Sequence, residues 1–161
     1  MALRLLVLNG PNLNLLGTRE PEKYGLMTLA EIEHGLSVQA GQAGATLVAH
    51  QANGEGELVT LIQTEGAVSD GIIINPGGYT HTSVAIRDAI LAISVPVVEV
   101  HVTNPYAREP FRHKSLISDV VVGRVMGFGP RGYAMALDGL LQVLGSEALD
   151  RSEKINAVSE L

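Results

Sequence analysis

From Leu3 to Leu8 the chain is a continuous apolar run, interrupted only by Arg4, rather than an alternating one, as expected of a strand covered on both faces inside a parallel sheet. The run stops at Asn9-Gly10-Pro11-Asn12, a loop composition. Thr28 followed three residues later by Glu31 is a capping-box pattern, and Leu29, Ile32, Leu36 and Ala40 then recur at roughly helical spacing, which predicts a helix. Ala45 to His50 predicts a second strand, Glu57 to Glu65 a helix, and Gly71 to Ile74 a very apolar third strand closed by Asn75-Pro76. Thr82 or Ser83 can cap a helix carrying Val84, Ile86, Ile90 and Ile93, and Pro96 to Val102 predicts a fourth strand. Asp119 to Met126 supplies the fifth strand and Tyr133 to Leu144 the helix after it. The tail from Gly145 is more polar and reads as a peripheral or frayed helix without assigned function.

Apolar strands that keep alternating with helices argue for a single α/β domain over residues 1–161. The expected architecture is a three-layer sandwich around a five-stranded parallel sheet, of flavodoxin-like type. Ligands in such folds sit beyond the carboxyl ends of the strands, so the loops after strands one, three and four should line one site.

Composition narrows the function. A chain of 161 residues, 46% hydrophobic, is long enough to bury one sizeable core and too short for two ordinary domains. Its 11 Lys and Arg against 17 Asp and Glu leave a net charge of −6, which opposes a sequence-independent hold on nucleic acid. A small anionic ligand answers to a local arginine cluster instead. The absence of cysteine removes disulfides, thiolate metal sites and a cysteine nucleophile. No apolar stretch suits a membrane span, and the N-terminal run ends too early for a signal peptide. A cytoplasmic protein without a membrane or nucleic-acid partner is the expectation.

The loop from Asn9 to Gly25 is longer than most strand-to-helix connections and contains Asn12, Arg19 and Tyr24, which favours a binding loop. A phenol is a poor base at neutral pH, but a nearby guanidinium stabilises the phenolate, so this pair could make a base without metal or histidine. His101 ends an apolar strand two residues after Glu99, and residues at that spacing share a sheet face. An acidic partner can fix the tautomer of such a histidine and favour the imidazolium; packing for His101 and an arginine ion pair for Glu99 are the plainer readings. Asn75 and His81 bracket Pro-Gly-Gly-Tyr-Thr, where glycine lets backbone approach a ligand, although an ordinary loop accounts for it equally. Arg108, Arg112 and His113 form a basic cluster suited to a carboxylate, or a solvated surface. Gly127 to Gly132 matches G-x-G-x-x-G formally, but it lies in the last β–α unit, so a tight packing turn is the better account. Metal-ligand spacing is absent, and neither a metal nor an organic cofactor is expected.

Three long segments together carry a resemblance: LNGPNLNLLGTREPEKYG at Leu8 to Gly25, INPGGYTHTS at Ile74 to Ser83, and EVHVTNPYAREPFRHKS at Glu99 to Ser115. In this order they resemble the type II 3-dehydroquinate dehydratases, over about Leu5 to Leu144. The resemblance implies dehydration of 3-dehydroquinate to 3-dehydroshikimate in the shikimate pathway of aromatic amino acid biosynthesis. It also implies a homododecamer built as a tetramer of trimers. By motif position Tyr24 would be the base, Arg19 its phenolate partner, His101 the general acid oriented by Glu99, and Asn12 the holder of a water against the enolate. Asn75, His81 and Arg112 would bind substrate hydroxyls and carboxylate, with backbone at Val102 and Thr103. Asp88 resembles the residue that reaches a neighbouring subunit's site. The sequence departs from the common pattern at Gly54, at Gly77-Gly78 and at Val102-Thr103, none of which removes a proposed catalytic group.

Two other classes fit the fold: a flavodoxin-like binding module, and a hydrolase or isomerase using the same Tyr and His on another ring. The first strand ends in Asn9, and no FMN-type phosphate loop follows it. A covalent lysine route would need Lys23, Lys114 or Lys154, and none of these is on an apolar strand.

Overall fold

The computed structural model describes residues 2–159. Five strands, β1 (Leu3–Asn9), β2 (Ala45–Gln51), β3 (Gly71–Asn75), β4 (Val97–His101) and β5 (Gly123–Met126), form one parallel sheet in the order β2-β1-β3-β4-β5. This is the flavodoxin-like doubly wound order, and the strand order reverses at β1 and β3. Between the strands lie α1 (Pro21–Tyr24, a single turn), α2 (Leu29–Gln42), α3 (Glu55–Thr64) and α4 (Val84–Leu91), and α5 (Arg131–Ser159) follows β5.

The apolar run from Leu5 to Leu8 of β1 is explained by its two covers. Leu5 and Val7 join Ile73, Val98 and Val100 in one core beneath α2 and α5, with Ile32, Leu36, Tyr133 and Leu137. Leu6 and Leu8 join Ile72, Ile74 and Val97 in a second core beneath α3 and α4, with Leu58, Ile62, Ile86 and Ile90. Both layers are apolar, and at roughly 25 cal/mol per Å² of apolar area they supply the main force that closes the sandwich.

The local signals mark helix starts well. Thr28 accepts from the Glu31 amide at 3.2 Å while the Glu31 carboxylate accepts from the Thr28 amide at 2.8 Å, a reciprocal cap for α2. Of the two candidate caps for α4, Ser83 is the one used, its hydroxyl accepting from Ile86 N–H at 2.9 Å.

The fifth strand is shorter than the expected Asp119 to Met126, starting only at Gly123. Val120 and Val121 both donate to the Ile117 carbonyl, so this segment turns back on itself. Asp119 faces out to a two-pronged pair with Arg87, and Ile117 fills the α3/α4 core. The valines that suggested a strand therefore close a turn, and the ladder to β4 begins only when Val122 donates to Val97. Helix α3 begins at Glu55 rather than Glu57, β4 covers Val97–His101 within the expected span, and α5 runs from Arg131 through the polar tail to Ser159.

Candidate active site

The loops after β1, β3 and β4 converge at the carboxyl edge of the sheet, and glycine lets them touch. Gly10 donates to the Asn75 carbonyl at 2.7 Å, and a Cβ there would lie 2.6 Å from the Pro76 carbonyl oxygen. Any side chain at Gly10 would push the first loop off the second. Gly77 has φ +58° and packs against Pro11, so a glycine is needed at that position too. Together the three loops enclose a cavity of about 250 Å³ lined by Asn12, Arg19 and Tyr24, by Asn75, Gly77 and His81, and by His101, Val102, Thr103, Arg108 and Arg112.

Within the first loop Leu13 and Leu16 are buried and tie the chain to the core. Asn12 takes the left-handed conformation, φ 69°, with its amide donating to the Asn53 side chain at 3.0 Å. Asn53 is held in turn by Gln51 and by the Tyr79 hydroxyl on its carbonyl. On α1 the Tyr24 ring is 7% exposed and stacked by the Arg19 guanidinium 4.6 Å from its centroid, with Arg108 5.8 Å away. Two cations thus face one buried phenol.

At the end of β4, Glu99 and His101 project to the same face, as their spacing requires. His101 Nε2 meets Glu99 Oε1 at 2.5 Å, which leaves Nδ1 as the uncommitted ring nitrogen. Glu99 is fully buried and accepts also from the Thr80 hydroxyl and from Arg124 Nε. Burial alone would raise its carboxyl, but the hydrogen bond and charge of His101, the Thr80 hydroxyl and the Arg124 charge outweigh it and hold the group below the ordinary carboxylate range. The arginine ion pair, the plainer reading of this acid, is therefore present, and the same carboxylate also hydrogen-bonds His101.

His81 Nδ1 lies 2.7 Å from the Lys114 carbonyl. A carbonyl only accepts, so Nδ1 carries the proton and Nε2 is an acceptor. Burial disfavours the imidazolium and, despite the Lys114 carbonyl, pushes its ionisation below the usual histidine range. Arg112 donates to Glu109 at 2.7 Å and Arg108 to the Thr103 hydroxyl at 3.3 Å, so both guanidinia are steadied at the rim.

Of the residues singled out from sequence, Asn12, Arg19, Tyr24, Asn75, His81, His101, Val102, Thr103 and Arg112 line this one cavity. Glu99 stands behind His101, and Asp88 is exposed on α4 outside the lining. Sequence reading missed Thr80, Arg124, Asn53, Asn9 and Tyr133, which act on the site through other residues; Arg108, read only as one of a basic cluster, faces the phenol. The G-x-G-x-x-G segment is a packing turn: Gly127 has φ +91° against Asn104, and Gly129 donates to the Val102 carbonyl at 2.9 Å. Among the described residues, no group of three or more His, Asp or Glu could hold a metal ion.

A family model described as Dehydroquinase class II matches residues 3–141. The 3-dehydroquinate dehydratase of Parasynechococcus marenigrum (strain WH8102) is 54% identical over 142 residues, covering 88% of this chain and 97% of its own. That of Janthinobacterium sp. (strain Marseille) is 53% identical over 147 residues, covering 89% and 100%. Among solved structures, the type II dehydroquinase from Butyrivibrio crossotus DSM 2876 superposes with a TM-score of 0.83 at 40% identity, over 86% of this chain and 97% of that one.

Proposed function

Since the chain belongs to the class II dehydroquinase family, we propose that its cavity dehydrates 3-dehydroquinate to 3-dehydroshikimate by acid–base elimination through an enolate, without metal or organic cofactor. The observation that carries this reading is that one cavity is lined both by a phenol stacked by Arg19 and by the Glu99-backed His101.

Tyr24, as phenolate, removes the proton beside the ketone, and the electron pair of that C–H bond passes into the enolate. Arg19 and Arg108 stabilise the phenolate before transfer. Asn12 holds a water against the enolate oxygen, stabilising charge that exists only near the transition state. The enolate collapses, the carbon–oxygen bond to the leaving hydroxyl breaks, and His101 protonates that hydroxyl from the opposite face so that it departs as water. Glu99 keeps His101 oriented and stabilises its protonated form. Arg112 suits the substrate carboxylate, His81 Nε2 accepts from a substrate hydroxyl, and Asn75 with the backbone at Val102 and Thr103 completes the hold.

The enzyme is further proposed to work in the cytoplasm as a homododecamer, a tetramer of trimers, with Asp88 completing a neighbour's site. Among the described residues no helix is long and apolar enough to cross a membrane.

The direct test is ultraviolet detection of the conjugated enone when purified protein meets 3-dehydroquinate. No absorbance rise would sink the reading, and flavin absorbance in the purified protein would favour a binding module instead.

A further inference from the structure

We propose that Tyr133, in the first turn of α5, is a positioning residue for Asn75, its buried hydroxyl fixing the Asn75 carboxamide in the orientation that meets substrate. The inference rests on Asn75 being a substrate contact, as proposed above.

Asn9 and Asn75 are cross-strand partners at the carboxyl ends of β1 and β3. Both point into the layer beneath α2 and α5, where Tyr133 descends between them. All three are enclosed, at 0%, 3% and 1% exposure. The Tyr133 hydroxyl donates to Asn9 Oδ1 at 2.6 Å and accepts from Asn75 Nδ2 at 2.9 Å. Asn9 Nδ2 reaches the half-buried Glu33 carboxylate at 3.5 Å, so the donors run in one direction from the cavity wall to the rim of α2. Asn75 Oδ1 meanwhile accepts from Gly77 N–H at 3.2 Å.

A hydroxyl in an apolar core is costly unless it is bonded, and a phenylalanine would fill the same space without that requirement. Here the hydroxyl uses its donor on Asn9 and an acceptor position on Asn75. Burial pushes its ionisation far up, so the phenol stays neutral and keeps the proton it donates. The consequence lies at Asn75. With Nδ2 tied to the phenol and Oδ1 to Gly77, the two ends of the carboxamide cannot exchange, and one N–H is left over on a side chain that lines the cavity.

Without the phenol, only Gly77 N–H restrains the amide, and the correct orientation becomes one of several. The apparent affinity for substrate then falls by the fraction of molecules correctly oriented. Substrate, once bound, has selected the right orientation and reacts at the normal rate. A positioning role therefore raises KM and leaves kcat alone. A merely structural defect does the reverse, reducing the active fraction and hence kcat per total protein.

The experiment compares the wild-type enzyme, Tyr133→Phe, Asn75→Ala and the double variant in the enone assay, with folding checked by thermal melting. Tyr133→Phe is expected to raise KM about tenfold, the scale of one lost hydrogen-bond restraint, with kcat unchanged. In the Asn75→Ala background it is expected to add nothing, because the residue it acts through is gone. Unchanged KM in folded Tyr133→Phe, or an equal KM increase in both backgrounds, would overturn the proposal. If Asn75→Ala itself left KM unchanged, the substrate-contact reading would fail and this inference with it; a raised KM in Asn75→Ala beside a silent Tyr133→Phe would overturn the inference alone. Should Tyr133→Phe not fold, Asn9→Leu removes the phenol's acceptor from the other side. The same KM increase, silent in the Asn75→Ala background, supports the relay, and an unchanged KM refutes it.

Discussion

Arg124 is the cross-strand neighbour of Glu99, and its Nε–H donates to Oε2 of that carboxylate at 2.7 Å. Thr80 and His101 share the other oxygen. A buried anion with all these partners is held charged and immobile, and the His101 ring bonded to it is held in place as well.

Glu99→Gln should therefore lower kcat by about 100-fold, the scale of a lost general-acid contribution, while KM changes little. The amide keeps an oxygen acceptor for His101 but not the negative charge beside it. Steady-state kinetics decide, since unchanged kcat with raised KM would make Glu99 a substrate contact instead.

Tyr24→Phe should remove on the order of 99.9% of turnover and leave substrate binding, measured by calorimetry, largely intact. The phenylalanine keeps the ring under Arg19 and loses only the hydroxyl proposed as the base. Borohydride added with substrate should not inactivate the wild-type enzyme. Lys23 is exposed and paired with Glu20, whose hydrogen bond pushes its ionisation up and away from the neutral amine that a Schiff base requires. A lysine–substrate adduct in the mass spectrum would contradict this.

Acidification should destabilise the protein through His81. Its folded-state value lies below the unfolded one, chiefly because burial disfavours the imidazolium. The unfolded chain then binds the proton more readily, so the contribution is present above about pH 6.5 and lost as pH falls through and below it. Melting temperatures followed from about pH 8 to about pH 5.5 should drop, and less steeply in His81→Asn, whose amide can still donate toward Lys114. Equal slopes would show that His81 is not the group concerned. The depressed Glu99 has the same sign in a lower window, its contribution being lost only as pH falls below the ordinary carboxylate range.

Asp88 is exposed and away from the cavity of its own chain, so Asp88→Ala should raise KM only if a neighbouring subunit's site uses it. Light scattering beside the enone assay tests this, and a fully active monomer would refute the shared site.

How far the sequence carried these conclusions differs by residue. The double cover of β1 was readable because Leu5 to Leu8 lacks polar interruption, and α2 was readable because Thr28 and Glu31 satisfy each other locally. The pairing of Glu99 with His101 needed only strand alternation. Arg124 was not readable, because its place opposite Glu99 depends on a register set by residues far apart in the chain. The overlong fifth strand arose from Val120 to Val122, whose apolar character serves a turn against Ile117. Asn9 and Tyr133 looked like a loop start and a helix residue, and only the closed fold makes them hydrogen-bond partners.

Gly17, at φ +92°, packs its backbone against the Leu26 carbonyl and Thr28, so the excursion from Thr18 to Gly25 is pinched shut at its neck. Leu13 and Leu16 anchor everything before that neck. Arg19 and Tyr24 therefore share one closed loop, held to the core through Tyr24 itself, while Asn12 lies before the neck. If the cavity opens there, the phenol and the Arg19 guanidinium travel as a unit, so the proposed base stays beside one of its two cations. Admission of substrate and protection of the proposed proton acceptor would then be the work of a single hinge rather than two.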